Sequence, residues 1–137
     1  GPQIRLPDII FAADMLHYQL KYHYYEIYMK VTLLKKENDA LTELKQELSR
    51  KYKLLWMKLI GSKARGDSDE ESDIDIVIVL KDADWDVERG IYEICFYLGL
   101  KYDILISPII YSEKDINDSL TRITPFYKTV EAEGIPI

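Results

Sequence analysis

Two short apolar runs, separated by a polar loop, dominate the pattern of the chain. The first covers residues 54–60 (LLWMKLI) and the second lies within residues 72–80 (SDIDIVIVL). Each is too short for a typical helix and is bounded by glycine or polar residues, which predicts two strands of a buried sheet. A third apolar run over residues 101–110 (KYDILISPII) predicts another strand.

Helical spacing of apolar positions predicts helices before and between these strands. Over residues 8–36 the spacing predicts one long amphipathic helix that is rich in tyrosine. The Asn38-Asp39 pair is predicted to end this helix and to cap a second one, which leads into the first strand. Asp84 is predicted to cap a third helix that stops at Gly99.

Two more helix starts follow the third strand. Ser112 with Asp115 predicts one helix, and Thr124-Pro125 predicts another, which ends at Gly134. Strands and helices therefore alternate through most of the chain, and the predicted fold class is α/β (α+β).

The turn after the first strand carries candidate chemistry. Gly61 allows a tight turn, and the backbone N–H groups and the Ser62 hydroxyl converge on one anion if a short helix follows. Arg65 adds a guanidinium that can contact two phosphate oxygens at once. These residues predict a phosphate-binding turn.

Two aspartates open the second apolar run. Asp73 and Asp75 are two residues apart, so the period of a strand places both carboxylates on one face and the intervening isoleucines on the other. Two like charges beside an apolar wall repel, so a cation binds between them or one takes up a proton. Magnesium suits such a site, because it accepts a few carboxylates and completes its octahedron with water and substrate phosphates.

Taken singly, each piece also has an ordinary explanation as a common turn or an edge strand with solvated acids. Together, a strand, Gly-Ser, ten residues and Asp-x-Asp opening an apolar strand resemble the signature of the DNA polymerase β-like nucleotidyltransferase superfamily. The spacing of Gly61, Ser62, Asp73 and Asp75 is similar to that of the minimal nucleotidyltransferase domains. Many of these are antitoxins encoded beside HEPN-domain toxins.

The resemblance divides the chain in two. It implies a nucleotidyltransferase fold, with a small mixed sheet flanked by helices, over residues 39–137. Residues 1–38 are predicted to form an N-terminal helical extension, and the Gly1-Pro2 start is typical of a cleaved purification tag.

The resemblance also implies roles for the candidate residues. Asp73 and Asp75 hold two magnesium ions, and a third carboxylate on a neighbouring strand completes the site. Asp103 is the only acid in the third apolar run and is the candidate, against the alternative of a strand-end acid paired with a nearby cation. Gly61, Ser62 and Arg65 bind the nucleotide phosphates. The resemblance to the antitoxin group further implies that ATP is the donor and that a tyrosine hydroxyl of a HEPN ribonuclease toxin is the acceptor.

Composition narrows the class of partner. The 137 residues are 47% hydrophobic, enough for one domain with a core, and neither a membrane-spanning stretch nor a signal-peptide pattern is evident. The single cysteine, Cys95, cannot form an internal disulfide. Together with the lack of a membrane-spanning or signal-peptide pattern, this predicts a cytoplasmic protein. The net charge is −6, and residues 54–137 carry nine basic and seventeen acidic side chains, so a long nucleic acid is a poor acceptor.

Other functions fit the same residues. One is a binding module that silences its partner by occlusion, with dispensable catalysis. Another is a small-molecule nucleotidyltransferase that works as an oligomer. In the tyrosine-rich segment, His17 and His23 lie six residues apart, almost on opposite sides of a helix, which favours packing or partner contact over a metal site.

Overall fold

The computed structural model describes residues 33–66 and 73–137 and, in the stretch before them, Leu20 alone. The predicted helix over residues 8–36, with its tyrosines and histidines, therefore lies almost entirely outside the described residues. The elements in chain order are α1 (Lys35–Lys51), β1 (Leu54–Ile60), α2 (Gly61–Arg65), β2 (Ile74–Leu80), α3 (Trp85–Tyr102), β3 (Ile106–Ser112), α4 (Glu113–Asn117), α5 (Ser119–Arg122), α6 (Pro125–Glu133) and β4 (Ile135–Pro136).

The strands form one four-stranded mixed sheet in the order β3-β2-β1-β4. β1 pairs antiparallel with β2 and with β4, whereas β2 and β3 are parallel and are joined by the crossover helix α3. The predicted bounds of the first strand and the mixed α+β fold are confirmed, whereas β2 begins at Ile74 and leaves Asp73 just before the strand. Since β1 and β2 are adjacent and antiparallel, the end of β1 and the start of β2 lie at the same edge of the sheet.

The two faces of β2 belong to two different packed clusters. Ile74, Ile76 and Ile78 are fully buried in the larger cluster, which also contains buried residues of α1 and α3. Val77 and Val79 lie in a smaller cluster with Ile60 and Val130. The predicted division of faces is confirmed, and each buried aliphatic side chain stabilises the fold by about 1.5–3 kcal/mol.

The predicted helix boundary at Asn38-Asp39 is wrong. α1 already begins at Lys35, with Leu34 as its N-cap. The backbone N–H of Leu34 donates to Oε1 of Glu37 at 2.8 Å, and this capping contact fixes the start one turn earlier. The division of the chain into an extension and a catalytic domain remains a prediction.

The predicted stop at Gly99 is also wrong, although the Asp84 cap is confirmed by its 2.9 Å bond from the Val87 N–H. α3 continues to Tyr102 and ends at Asp103, which has a φ of 54°. Gly99 serves another purpose, because a Cβ there would lie 2.8 Å from the backbone oxygen of Ile104. The glycine thus lets the chain fold back closely over the end of the helix.

The helix starts predicted after the third strand are confirmed. Ser112 caps α4 in a capping box with Asp115, and Thr124 precedes Pro125 at the start of α6. The two-residue strand β4 follows α6 and covers one edge of β1. It was not predicted, because two residues carry no periodic pattern.

The single cysteine lies inside the fold. Cys95 is 3% exposed on α3, and burial raises the pKa of its thiol to about 12. The thiolate is therefore scarce at neutral pH, as expected for a packing residue rather than a nucleophile. Among the described helices, none combines the length and apolar character that crossing a bilayer requires.

Candidate active site

A short helix joins the first strand to the loop that precedes the second. β1 ends at Ile60, and Gly61 then takes a φ of 74°, a left-handed conformation that favours glycine. α2 runs to Arg65 and closes with the Gly66 N–H donating to the Ser62 carbonyl at 3.0 Å. The predicted Gly-Ser turn into a short helix is confirmed.

The Asp75 carboxylate lies directly against this turn. Ile60 is opposite Asp75 in the β1–β2 ladder, which brings Gly61 and Asp75 together. A Cβ added at Gly61 would lie only 2.6 Å from Oδ2 of Asp75. The turn that the sequence predicts to bind phosphate therefore lies beside Asp75, at the edge of the sheet where β2 begins.

At this edge the carboxylates of Asp73 and Asp75 are close enough to repel each other. Asp73 is exposed just before β2, whereas Asp75 is partly buried. The pKa of Asp75 is raised, first by burial and then by the negative charge of Asp73, and the Arg65 guanidinium acts in the opposite direction. A cation between the two carboxylates would relieve both unfavourable effects.

Magnesium fits this pair of carboxylates. It is commonly held by one or two protein carboxylates, and the substrate phosphates and water supply its other ligands. Asp73 and Asp75 are the residues that would hold it. The number of ions remains a prediction.

The expected position of Asp103 is wrong. The third strand begins at Ile106, and Asp103 instead caps the end of α3, with an exposed side chain and a backbone oxygen that accepts from Lys36 Nζ at 3.0 Å. The residue of β3 level with Asp75 is Ser107. In residues 33–66 and 73–137, no group of three or more His, Cys, Asp and Glu is placed to hold a metal ion. Asp103 thus does not join the aspartate pair.

One feature of the site was not predicted from the sequence. Lys63, inside α2, is 2% exposed and forms an ion pair with Glu37 of α1, with 2.8 Å between Nζ and Oε2. Glu37 and Lys63 are 26 positions apart in the sequence. No local spacing links them. The only sequence feature that hints at a buried Lys63 is its position near the apolar residues Ile60 and Ala64.

Comparison with known proteins gives the family. The sequence model of the family described as "Nucleotidyltransferase domain" matches residues 41–130, which include the turn and both aspartates. The chain belongs to the nucleotidyltransferase domain family. This nucleotidyltransferase is 41% identical over 102 residues to "Putative protein adenylyltransferase MJ0141" of Methanocaldococcus jannaschii, covering 72% of this chain and 96% of that protein. It is 40% identical over 100 residues to "Putative protein adenylyltransferase MJ0604" of the same organism, covering 72% and 94%.

A solved structure shares the fold. The structure described as "Crystal structure of the toxin-antitoxin with AMP-PNP" superposes with a TM-score of 0.53 at 20% identity, covering 75% of this chain and 72% of that one. The fold predicted from the sequence is confirmed. The chain is a nucleotidyltransferase enzyme, and its substrate is a nucleotide.

Proposed function

We propose that this nucleotidyltransferase is a magnesium-dependent antitoxin, which transfers AMP from ATP to a tyrosine hydroxyl of a HEPN ribonuclease toxin. The observation that carries the proposal is the contact between the Gly61 turn and the Asp75 carboxylate. This contact supports a phosphate site and a metal site that lie side by side. The names of the two relatives support adenylyl transfer to a protein, and the toxin–antitoxin neighbour supports a toxin as the partner.

The proposed reaction is an in-line displacement at the α-phosphorus of ATP. The tyrosine oxygen forms a new bond to this phosphorus, the bond to the bridging oxygen of the β-phosphate breaks, and pyrophosphate leaves with that oxygen. The hydroxyl proton passes to solvent. Bound magnesium supplies positive charge that activates the hydroxyl and offsets the charge developing on the phosphates.

The residues of the chain position the two reactants. Asp73 and Asp75 would hold the metal, while the amides of α2, the Ser62 hydroxyl and the Arg65 guanidinium would hold the β- and γ-phosphates. Arg65 is exposed at the end of α2 and lies close enough to Asp75 to affect its pKa. The same cation can therefore bridge phosphate and carboxylate. Asp103 has no part in this proposal, because the structure does not bring it to Asp75.

An exposed apolar stripe supports a protein as the acceptor. Trp85, Tyr92, Phe96 and Leu100 recur at helical spacing on α3 and are between 51% and 73% exposed. Apolar surface of this kind marks protein-interaction sites, whereas nucleic-acid surfaces are basic. The excess of acidic side chains in residues 54–137 points the same way.

The test is a mass measurement on the separated toxin. After incubation with this chain, ATP and magnesium, the toxin is expected to carry the mass of one or more adenylyl groups on tyrosine. Its ribonuclease activity is expected to stay low once the two proteins are separated. The control omits ATP. An unmodified toxin that regains activity on separation would instead show that the chain acts as an occluding binding module.

Ser62→Ala combined with Arg65→Ala is expected to raise the Kd for magnesium-ATP by at least tenfold. Each lost charge-assisted contact is worth about 1.5–3 kcal/mol, and about 1.4 kcal/mol is a tenfold change in affinity. Calorimetric titration of ATP measures it. Ser49→Ala with Arg50→Ala is the matched control, since both residues are exposed on α1. Equal affinity of the two variants would place the phosphates elsewhere.

A further inference from the structure

A buried ion pair connects α1 to the phosphate-binding turn. Lys63 Nζ lies 2.8 Å from Glu37 Oε2, and both side chains are 2% exposed. The other carboxylate oxygen of Glu37 accepts the Leu34 N–H at 2.8 Å. One carboxylate therefore satisfies the first turn of α1 and holds the middle of α2 at the same time.

A buried ion pair of this kind adds little to the free energy of unfolding. Removing two charges from water costs several kcal/mol per ion, and apolar residues of similar volume often serve stability equally well or better. What the pair does supply is geometry, because a buried charge tolerates only positions in which its partner stays within hydrogen-bond distance. α2 has five residues, fewer than two turns, so its position depends on contacts with the rest of the fold.

We propose that Glu37 and Lys63 are positioning residues, which hold α2 so that Ser62 and Arg65 face the nucleotide phosphates. The inference deepens the proposed function and rests on it. It also separates the two cations of the turn. The charge of Lys63 is directed inward to Glu37, whereas Arg65 is exposed and can reach the substrate.

The experiment separates positioning from stability by comparing single and double variants. Glu37→Gln and Lys63→Met each remove one charge of the buried pair and leave the other in place, so both are expected to lower Tm. Glu37→Gln with Lys63→Met removes the whole pair, while the glutamine oxygen can still accept the Leu34 N–H. The double variant is expected to recover part of the lost Tm, because no unpaired charge of the Glu37–Lys63 pair remains.

Nucleotide affinity is expected to behave differently from Tm. The double variant should still bind magnesium-ATP about tenfold more weakly than wild type, because a stable fold without the pair no longer fixes the turn. Binding is measured by calorimetry and transfer by steady-state kinetics, where KM for ATP should rise more than kcat falls. Asp39→Asn is the matched control, since it removes an exposed ion pair with Lys35 from the same helix.

Two results would overturn the inference, and they differ in what else they affect. A folded double variant with wild-type affinity and KM would show that the pair is only structural, and the proposed function would stand. If wild type itself neither binds magnesium-ATP nor transfers AMP, the proposed function fails and the positioning role fails with it.

Discussion

Asp75→Asn is expected to reduce AMP transfer by roughly a thousandfold or more while leaving the protein folded. Asp75 is proposed to bind the metal, and loss of such a carboxylate removes several kcal/mol of transition-state stabilisation. A change of this size corresponds to that loss of rate. Asparagine has nearly the same volume, so the packing of β2 is preserved. The rate is measured with labelled ATP and the proposed toxin acceptor, and wild-type transfer by the variant would refute the assignment of Asp75.

The same substitution is expected to raise the stability of the metal-free protein at neutral pH. Burial and Asp73 raise the pKa of Asp75 in the folded state, so folding favours its protonated form. The stabilising contribution of that protonated form is present below the unfolded pKa of an aspartate and is lost as pH rises through the raised, folded pKa. Asparagine cannot ionise and escapes this loss.

Urea unfolding without magnesium measures this difference in stability between variant and wild type. It is carried out at neutral pH and at a pH below the usual pKa range of aspartate. The variant should be more stable than wild type at neutral pH, and the difference should shrink in acid. Asp82→Asn makes the same charge change at an exposed loop position and should show a much smaller difference. A variant less stable than wild type at neutral pH would contradict the raised pKa.

The parts of the site that could be predicted from sequence are those set by local spacing. A two-residue period fixes which side chains share a face of β2, so the sequence alone predicts that Asp75 and the isoleucines of the larger cluster lie on opposite faces. A glycine at a strand end likewise indicates a turn. These features depend on neighbours within about ten residues, which a pattern can reveal.

The parts that could not be predicted depend on where distant segments meet. Asp103 follows a helix that runs one turn past Gly99, so the strand starts later than the apolar run does. Asp103 therefore lies before the strand and not beside Asp73 and Asp75. The Glu37–Lys63 pair depends on how α1 packs against α2, and a buried partner of that kind leaves no spacing signal.

Gly61→Ala is expected to reduce transfer by about a hundredfold although it adds only one methyl group. Gly61 has a φ of 74°, where alanine is strained by about 1–2 kcal/mol. The new Cβ would also meet Oδ2 of Asp75 at 2.6 Å, so the carboxylate or the turn must move. Either movement separates the groups proposed to hold metal and phosphate, and a displacement on the order of 1 Å can cost about a hundredfold in rate.

A double-mutant cycle with Asp75→Ala distinguishes this clash from backbone strain. If the carboxylate causes part of the damage, Gly61→Ala should lower Tm more in the wild-type background than in the Asp75→Ala background, where the oxygen is gone. Backbone strain is the same in both. Thermal unfolding of the four proteins without magnesium measures the coupling. Additive losses of Tm, or wild-type transfer by the single Gly61→Ala variant, would show that the turn and the carboxylate do not depend on the close approach seen in the structure.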